Sequence, residues 1–183
     1  MKFNPWLMLT RYISALLISI NGLFIIYFIM GPITYFLSLW ALSLLGSTQG
    51  YFLENLIIFN GVGIELVEAC IAGAAHYLLI FLNLSIPMKA EKRLKTLSFS
   101  IVLFLLINVI RIVIFSILAA NGSSYFDSLH LLFWYTLSIV MVMGVWFSTV
   151  RIFKIEEIPI YTDFKRLLQL MSNPFHKERS KRN

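Results

Sequence analysis

Apolar residues fall along this chain in long unbroken runs, not in the alternation of a half-buried strand. Residues 12–30 form a run of 19, residues 71–87 a run of 17, and residues 96–119 and 129–150 are longer still. About 20 predominantly apolar helical residues cross the hydrocarbon core of a bilayer, so the pattern predicts four membrane-spanning helices. Residues 32–46 are apolar but short. They open with Pro32 and close with Gly46, a proline start and a glycine stop. They read as a separate helix lying in the outer interface, where Tyr35 and Trp40 suit the depth. The first run is too long for a cleaved signal peptide, and Gly31-Pro32 follows it without a small-residue cleavage site.

Between residues 47 and 69 the pattern changes. Asn55-Leu-Ile-Ile-Phe59 and Ile64-Glu-Leu-Val-Glu68 are short and β-prone, with Asn60-Gly61-Val62-Gly63 between them. This predicts a small hairpin that delivers the chain onto Cys70 at the head of the next helix. The fold class expected is thus all-α and membrane-integral, with four spans, an outer interfacial helix and a short extracytoplasmic β-hairpin. Residues 1–154 form the transmembrane domain. Residues 155–183 form a basic cytoplasmic tail, extended over 155–160 and amphipathic helical over 163–170.

Charge sets the orientation. Lys89, Lys92, Arg93 and Lys95 share one loop, Arg151 and Lys154 follow the last run, and Lys2 and Arg11 precede the first. Residues 47–69 and 120–128 contain no Lys or Arg but hold Glu54, Glu65, Glu68 and Asp127. By the positive-inside rule both termini and the 89–95 loop face the cytoplasm. Only Arg111 of the 15 basic residues is then off the inner side. A second full crossing by residues 32–46 would put the basic loop outside, which excludes it.

Composition agrees with this reading. Hydrophobic residues make up 59 % of the chain and charged residues 13 %, about half the share of a soluble domain. The net charge of +6 flanks apolar runs and forms no nucleic-acid recognition face. Cys70 is the one cysteine, so an internal disulfide and an all-cysteine metal site are excluded. Multi-histidine metal spacings and phosphate loops are absent as well, and no metal or cofactor is expected.

Three residues carry candidate chemistry. A lone membrane cysteine is ordinarily a small apolar filler. Cys70, however, opens a helix, where free N–H groups favour a thiolate, and Ala72, Gly73, Ala74 and Ala75 leave room beside it, though such residues also allow close helix packing. Arg111 lies deep in an apolar run, where insertion costs at least ~2.5 kcal/mol. It is 15 residues beyond Thr96, or about 22 Å at ~1.5 Å per residue, in the outer leaflet. Asn108 is one turn below on the same face. A structural ion pair or a snorkelling side chain is the bland alternative. His130 heads the last run, with Asp127 three residues earlier to orient it. His76, about one and two-thirds turns after Cys70, reads as a packing residue, and His176 is on the wrong side. Cys70, Arg111 and His130 share one depth, which assembles a nucleophile, a cation and a base as acyl transfer requires. The triplet Asn121-Gly-Ser123 fits a glycosylation acceptor, a pattern frequent by chance.

Glu68-Ala-Cys70-Ile-Ala-Gly73, Asn108-Val-Ile-Arg111-Ile and Asp127-x-x-His130, in this order, resemble the exosortase/archaeosortase family of membrane cysteine transpeptidases. The likeness covers about residues 46 to 150, and the shortness of the chain resembles the compact archaeal variants. The resemblance implies an enzyme of the plasma membrane with its site facing outward. Its partners would be lipids and exported proteins ending in a short motif, a transmembrane helix and a basic cluster. It would cleave near the motif and pass the new C-terminus to a lipid or another amine. Cys70 would be the nucleophile, Arg111 the orienting and charge-stabilising group and His130 the base and acid, with Asn108, Asp127 and Gly73 in support. Two other classes compete: a non-enzymatic membrane assembly subunit with a structural Arg111, and a small anion transporter. A transporter ordinarily shows paired broken helices or an internal repeat, and neither is visible.

Overall fold

The structure, a computed structural model, describes residues 5–86, 88–132 and 138–155; at positions 5–9, 11–12, 14–22, 127 and 130 it describes the backbone alone. The expected elements of the tail from residue 156 onward lie outside the described residues.

The chain begins with one continuous helix, α1 (Pro5–Ser43), of 39 residues. Pro32 lies inside it and does not end it. Proline removes one backbone hydrogen bond and crowds the carbonyl four residues earlier, at a cost of ~3 kcal/mol in a helix interior. Packing overrides that cost here. A Cβ on Gly31 would touch the Ile71 side chain at 3.6 Å, and Thr34, Tyr35, Ser38 and Leu42 are all buried. The separate interfacial helix expected over residues 32–46 is therefore corrected: these residues are the upper turns of α1. One helix in place of a span and an interfacial helix leaves the expected parity of the remaining spans unchanged.

Above α1 lies a three-stranded antiparallel sheet in the order β1 (Thr48–Tyr51), β2 (Leu56–Phe59), β3 (Val62–Glu65). The β2–β3 hairpin pairs Phe59 with Val62 across Asn60-Gly61, both at positive φ, the two-residue turn that matches strand twist. The expected hairpin is present, but its second strand starts at Val62 and ends at Glu65. β1 is an addition the pattern did not predict. Ile57 and Phe59 alternate inward against Tyr35 and Leu42 of α1 and Ile112 of the fourth helix, and the Tyr35 hydroxyl donates to the Leu56 carbonyl at 3.1 Å.

The chain then forms α2 (Glu68–Ile71), α3 (Gly73–Ser85), α4 (Ala90–Ala120), α5 (Phe126–Leu132) and α6 (Ser138–Ile152). Most of the expected basic loop is the first turn and a half of α4, where Glu91 and Lys95 pair at 2.6 Å. Lys92 donates to the Lys154 carbonyl at 3.2 Å, so the two basic clusters share one end of the bundle. Among the described residues three helices are long and apolar enough to cross a membrane: Leu23–Ser43, Glu68–Ser85 and Ala90–Ala120. The expected fourth span, residues 129–150, falls on α5 and α6, with residues 133–137 outside the described residues; α6 is apolar but has only 15 residues.

Polar side chains share the interior with apolar ones, and large apolar side chains face outward. Thr34, Ser38, His76, Asn83, Thr96, Ser100, Asn108 and Thr149 are fully buried, while Phe24, Phe28, Ile110 and Phe147 point outward with more than half their surface exposed. Small and polar residues let helices approach closely and bond across the interface. The Asn83 side chain donates to Ser100 Oγ at 3.1 Å between α3 and α4, and Leu79, Phe104, Val142 and Val145 close the core of α3, α4 and α6.

Candidate active site

Cys70 does not open a long helix. After β3 the chain makes the single turn α2, and Ala72 then takes the left-handed conformation (φ 55°, ψ 43°) before α3 begins at Gly73. A helix of one turn has little macrodipole, so the expected help to a thiolate from a full helix is corrected. A different device replaces it. Left-handed backbone costs an L-residue ~1–2 kcal/mol, and strain of this kind persists only where the surroundings hold it. Here the Ala72 amide donates to Glu68 O at 3.1 Å. Its carbonyl accepts from the amides of Ala75 and His76 and lies 3.1 Å from His76 Nδ1.

The break at Ala72 also interrupts the helical ladder above it. Side chains of α4 serve the carbonyls of the α2 turn. Asn108 Nδ2 donates to Cys70 O at 2.7 Å. Arg111 Nη2 donates to Ala69 O at 3.2 Å and Cys70 O at 3.4 Å, while Nη1 donates to Ser138 Oγ at 3.3 Å. Residues 41 positions apart thus meet, and Asn108 and Arg111, one turn apart on α4, grip the same peptide. Ser138 was not foreseen: a serine in an apolar run reads as packing, and its partner lies 27 positions away.

A cavity of about 540 Å³ opens beside this turn. Cys70, Ala72, Ala75, Arg111, Phe115 and Phe126 line it. Its volume suits a small ligand or a short peptide segment. The alanines provide the room expected beside the sulfur, but Gly73 does not. A Cβ there would lie 2.6 Å from Cε1 and Cζ of Tyr27, so the space over Gly73 belongs to the α1–α3 contact. Gly73→Ala is expected to lose ~1–3 kcal/mol by overpacking, read as a fall in the melting temperature of the detergent-solubilised protein. Paired with Tyr27→Ala it should cost less than the two changes added separately; strict additivity would place the strain elsewhere.

His76 lies apart from the cavity. It is fully buried, and its ring stands edge-on to Phe104 with centroids 4.9 Å apart. Its Nε2 is buried without a hydrogen-bond partner. Asp127 and His130 fall in α5, which packs on α4; their side chains lie outside the described residues. In helical register position 130 is one turn beyond Phe126. The chain matches no family model, no curated protein and no solved structure.

Proposed function

We propose that this is a multi-pass membrane protein and that the cavity beside Cys70 is the active site of a cysteine transpeptidase of exosortase/archaeosortase type. The observation that carries the reading is the convergence of Cys70, Asn108 and Arg111 on one strained turn at the wall of a cavity. Apolar residues facing out over buried polar ones support the bilayer as the solvent.

The chemistry follows from the parts. The Cys70 thiolate attacks the scissile carbonyl of an exported protein, and the oxyanion forms beside the Arg111 guanidinium. The C–N bond breaks as His130, protonated by the thiol, returns the proton to the leaving amine. A thioester remains on Cys70. An acceptor amine, or water, then attacks it and gives up its proton to His130, releasing the new C-terminus and the free thiol. Substrates with a C-terminal motif, a transmembrane helix and a basic cluster suit a site at the outer end of a bundle whose opposite end is basic.

One observation favours the non-enzymatic alternative: the direct hydrogen bonds of Arg111 go to main-chain carbonyls and a serine, which is also how a purely structural arginine behaves. Two measurements decide. A membrane-impermeant maleimide applied to intact cells should label Cys70; an inert thiol in folded protein counts against the enzyme. Reporter tags should place both termini and Lys92 in the cytoplasm and residues 47–69 outside. Labelling of a cysteine at position 92 from outside, on a Cys70→Ala background, would sink the topology.

A further inference from the structure

The strand that sequence reading missed leads to a second surface. After β1 the chain turns through Phe52–Glu54, a single 3₁₀ turn, and Leu53 at its tip has 97 % of its surface exposed. A lone exposed leucine needs no explanation, but this one has company. Tyr51 and Phe52 beside it are also exposed. Phe52 stacks on Phe36 of α1, with centroids 5.1 Å apart and planes at 23°, and meets Tyr35 edge-on at 5.2 Å. β1 therefore runs back down α1, and the turn ends level with Phe36, about two turns below the top of the helix. There it joins a band of exposed apolar side chains that climbs one face of α1 through Ile29, Ile33, Phe36 and Trp40.

The depth of that level can be measured along the bundle. Lys95 is the last cation before the apolar stretch of α4, and it marks the inner edge of the hydrocarbon. A core ~30 Å thick takes about 20 helical residues from there, which ends near Phe115. Arg111 and Asn108 hold the Cys70 peptide, and Ile71 packs at Gly31, so Gly31 of α1 is level with the turn around Arg111. Four to five residues higher on α4 is Phe115, and the same rise on α1 reaches Tyr35 and Phe36. Composition alone puts the α1 span at Leu23–Ser43; this ruler sets its turns above Phe36 over the hydrocarbon edge. Glu54 and Gln49, both exposed, flank the turn as headgroup-level residues.

We propose that the Tyr51-Phe52-Leu53 turn is a membrane anchor: it rests in the outer leaflet at the boundary between headgroups and acyl chains and ties the sheet above the Cys70 cavity to the lipid surface. Its occupant is lipid, because the turn continues a helix face that is apolar and, among the described residues, exposed along several turns, and because aromatic residues favour this depth. The proposal rests on the membrane reading but not on catalysis.

The test uses full-length protein with Cys70→Ser, so that one introduced cysteine carries an environment-sensitive fluorophore. Leu53→Cys, Leu106→Cys and Asn60→Cys are each reconstituted in phosphatidylcholine vesicles, plain or brominated near the head or near the end of the acyl chain. Leu106, exposed midway along the apolar part of α4, reports insertion itself; Asn60, at the hairpin tip, reports water. The expected result is a blue-shifted probe at position 53, quenched most by bromines near the head, a probe at 106 quenched most by bromines near the chain end, and none at 60. Quenching at 106 without quenching at 53 overturns the anchor and leaves the membrane reading intact. Quenching at 53 mainly by chain-end bromines overturns the boundary placement. Absence of quenching at 106 overturns both.

Discussion

Cys70→Ala and Cys70→Ser are both expected to abolish processing of the exported substrate while leaving the protein folded and in the membrane. Either change removes the thiolate and with it the covalent step, and serine has a far weaker nucleophile at its ordinary pKa. Neither side chain is large enough to disturb the α2 turn, and the bonds from Asn108 and Arg111 go to the Cys70 carbonyl, which both changes keep. His130→Ala should be nearly as severe, because general acid–base catalysis contributes ~10²- to 10⁴-fold. His76→Ala should behave differently. It removes a buried ring from Phe104 and a contact from the Ala72 carbonyl, so it should lower thermal stability while the folded fraction stays active. The measurement is uncleaved precursor accumulating in cells that express each variant, corrected for the amount of folded protein. Full processing by Cys70→Ala would end the enzyme reading, and an inactive but stable His76→Ala beside an active His130→Ala would move the base to the other histidine.

Much of this arrangement is legible in the sequence because it follows from local rules. The long apolar runs mark the helices, the Asn60-Gly61 pair marks the hairpin, and a cation fifteen residues into an apolar helix marks Arg111. Asn108 is legible too, since i and i+3 share a helical face. What escaped is set by contacts distant in sequence. Pro32 is a helix breaker by its own chemistry, and only the packing of Gly31, Tyr35 and their neighbours shows why α1 continues through it. β1 has no alternating apolar pattern. Its Gly50 is explained only by α1, where a Cβ would fall 2.8 Å from the Tyr35 hydroxyl and 2.9 Å from Leu39.

The site shows the same division. The sequence places Cys70 near a helix start and small residues after it, and from this a continuous helix is the natural reading. Ala72 is the residue that defeats it, because alanine is a strong helix former and carries no local signal for left-handed backbone. The break is stabilised from other elements: Tyr27 on Gly73, His76 on the Ala72 carbonyl, and Asn108 with Arg111 on the carbonyls before it. At Gly73 the packing account of the small residues is the one the contacts favour, since its missing side chain admits a tyrosine ring of α1.

The second large effect is expected at Arg111, and it separates the two readings of that residue. Its guanidinium reaches two ways at once, from Nη2 to the carbonyls of Ala69 and Cys70 and from Nη1 to the hydroxyl of Ser138. Lysine keeps the charge but is a compact ammonium on a flexible stem and cannot reproduce a planar fork. Arg111→Lys should therefore lower processing by about 10²- to 10³-fold, the scale of losing one preorganised donor at an oxyanion. Arg111→Met is the sharper variant. Methionine has a similar length but leaves the Ala69 carbonyl without this donor, at a cost on the order of 1–3 kcal/mol, so the variant should be less stable, and its folded fraction should still fail to process substrate. A folded Arg111→Met that processes normally would confine the arginine to holding the turn. Asn108→Ala removes the 2.7 Å bond to the same Cys70 carbonyl, so the two side chains act on one peptide. Groups that work as a unit give non-additive losses, and Asn108→Ala combined with Arg111→Met should be little worse than Arg111→Met alone. Losses that multiply in the double variant would show that Asn108 and Arg111 do not act through the one peptide they share.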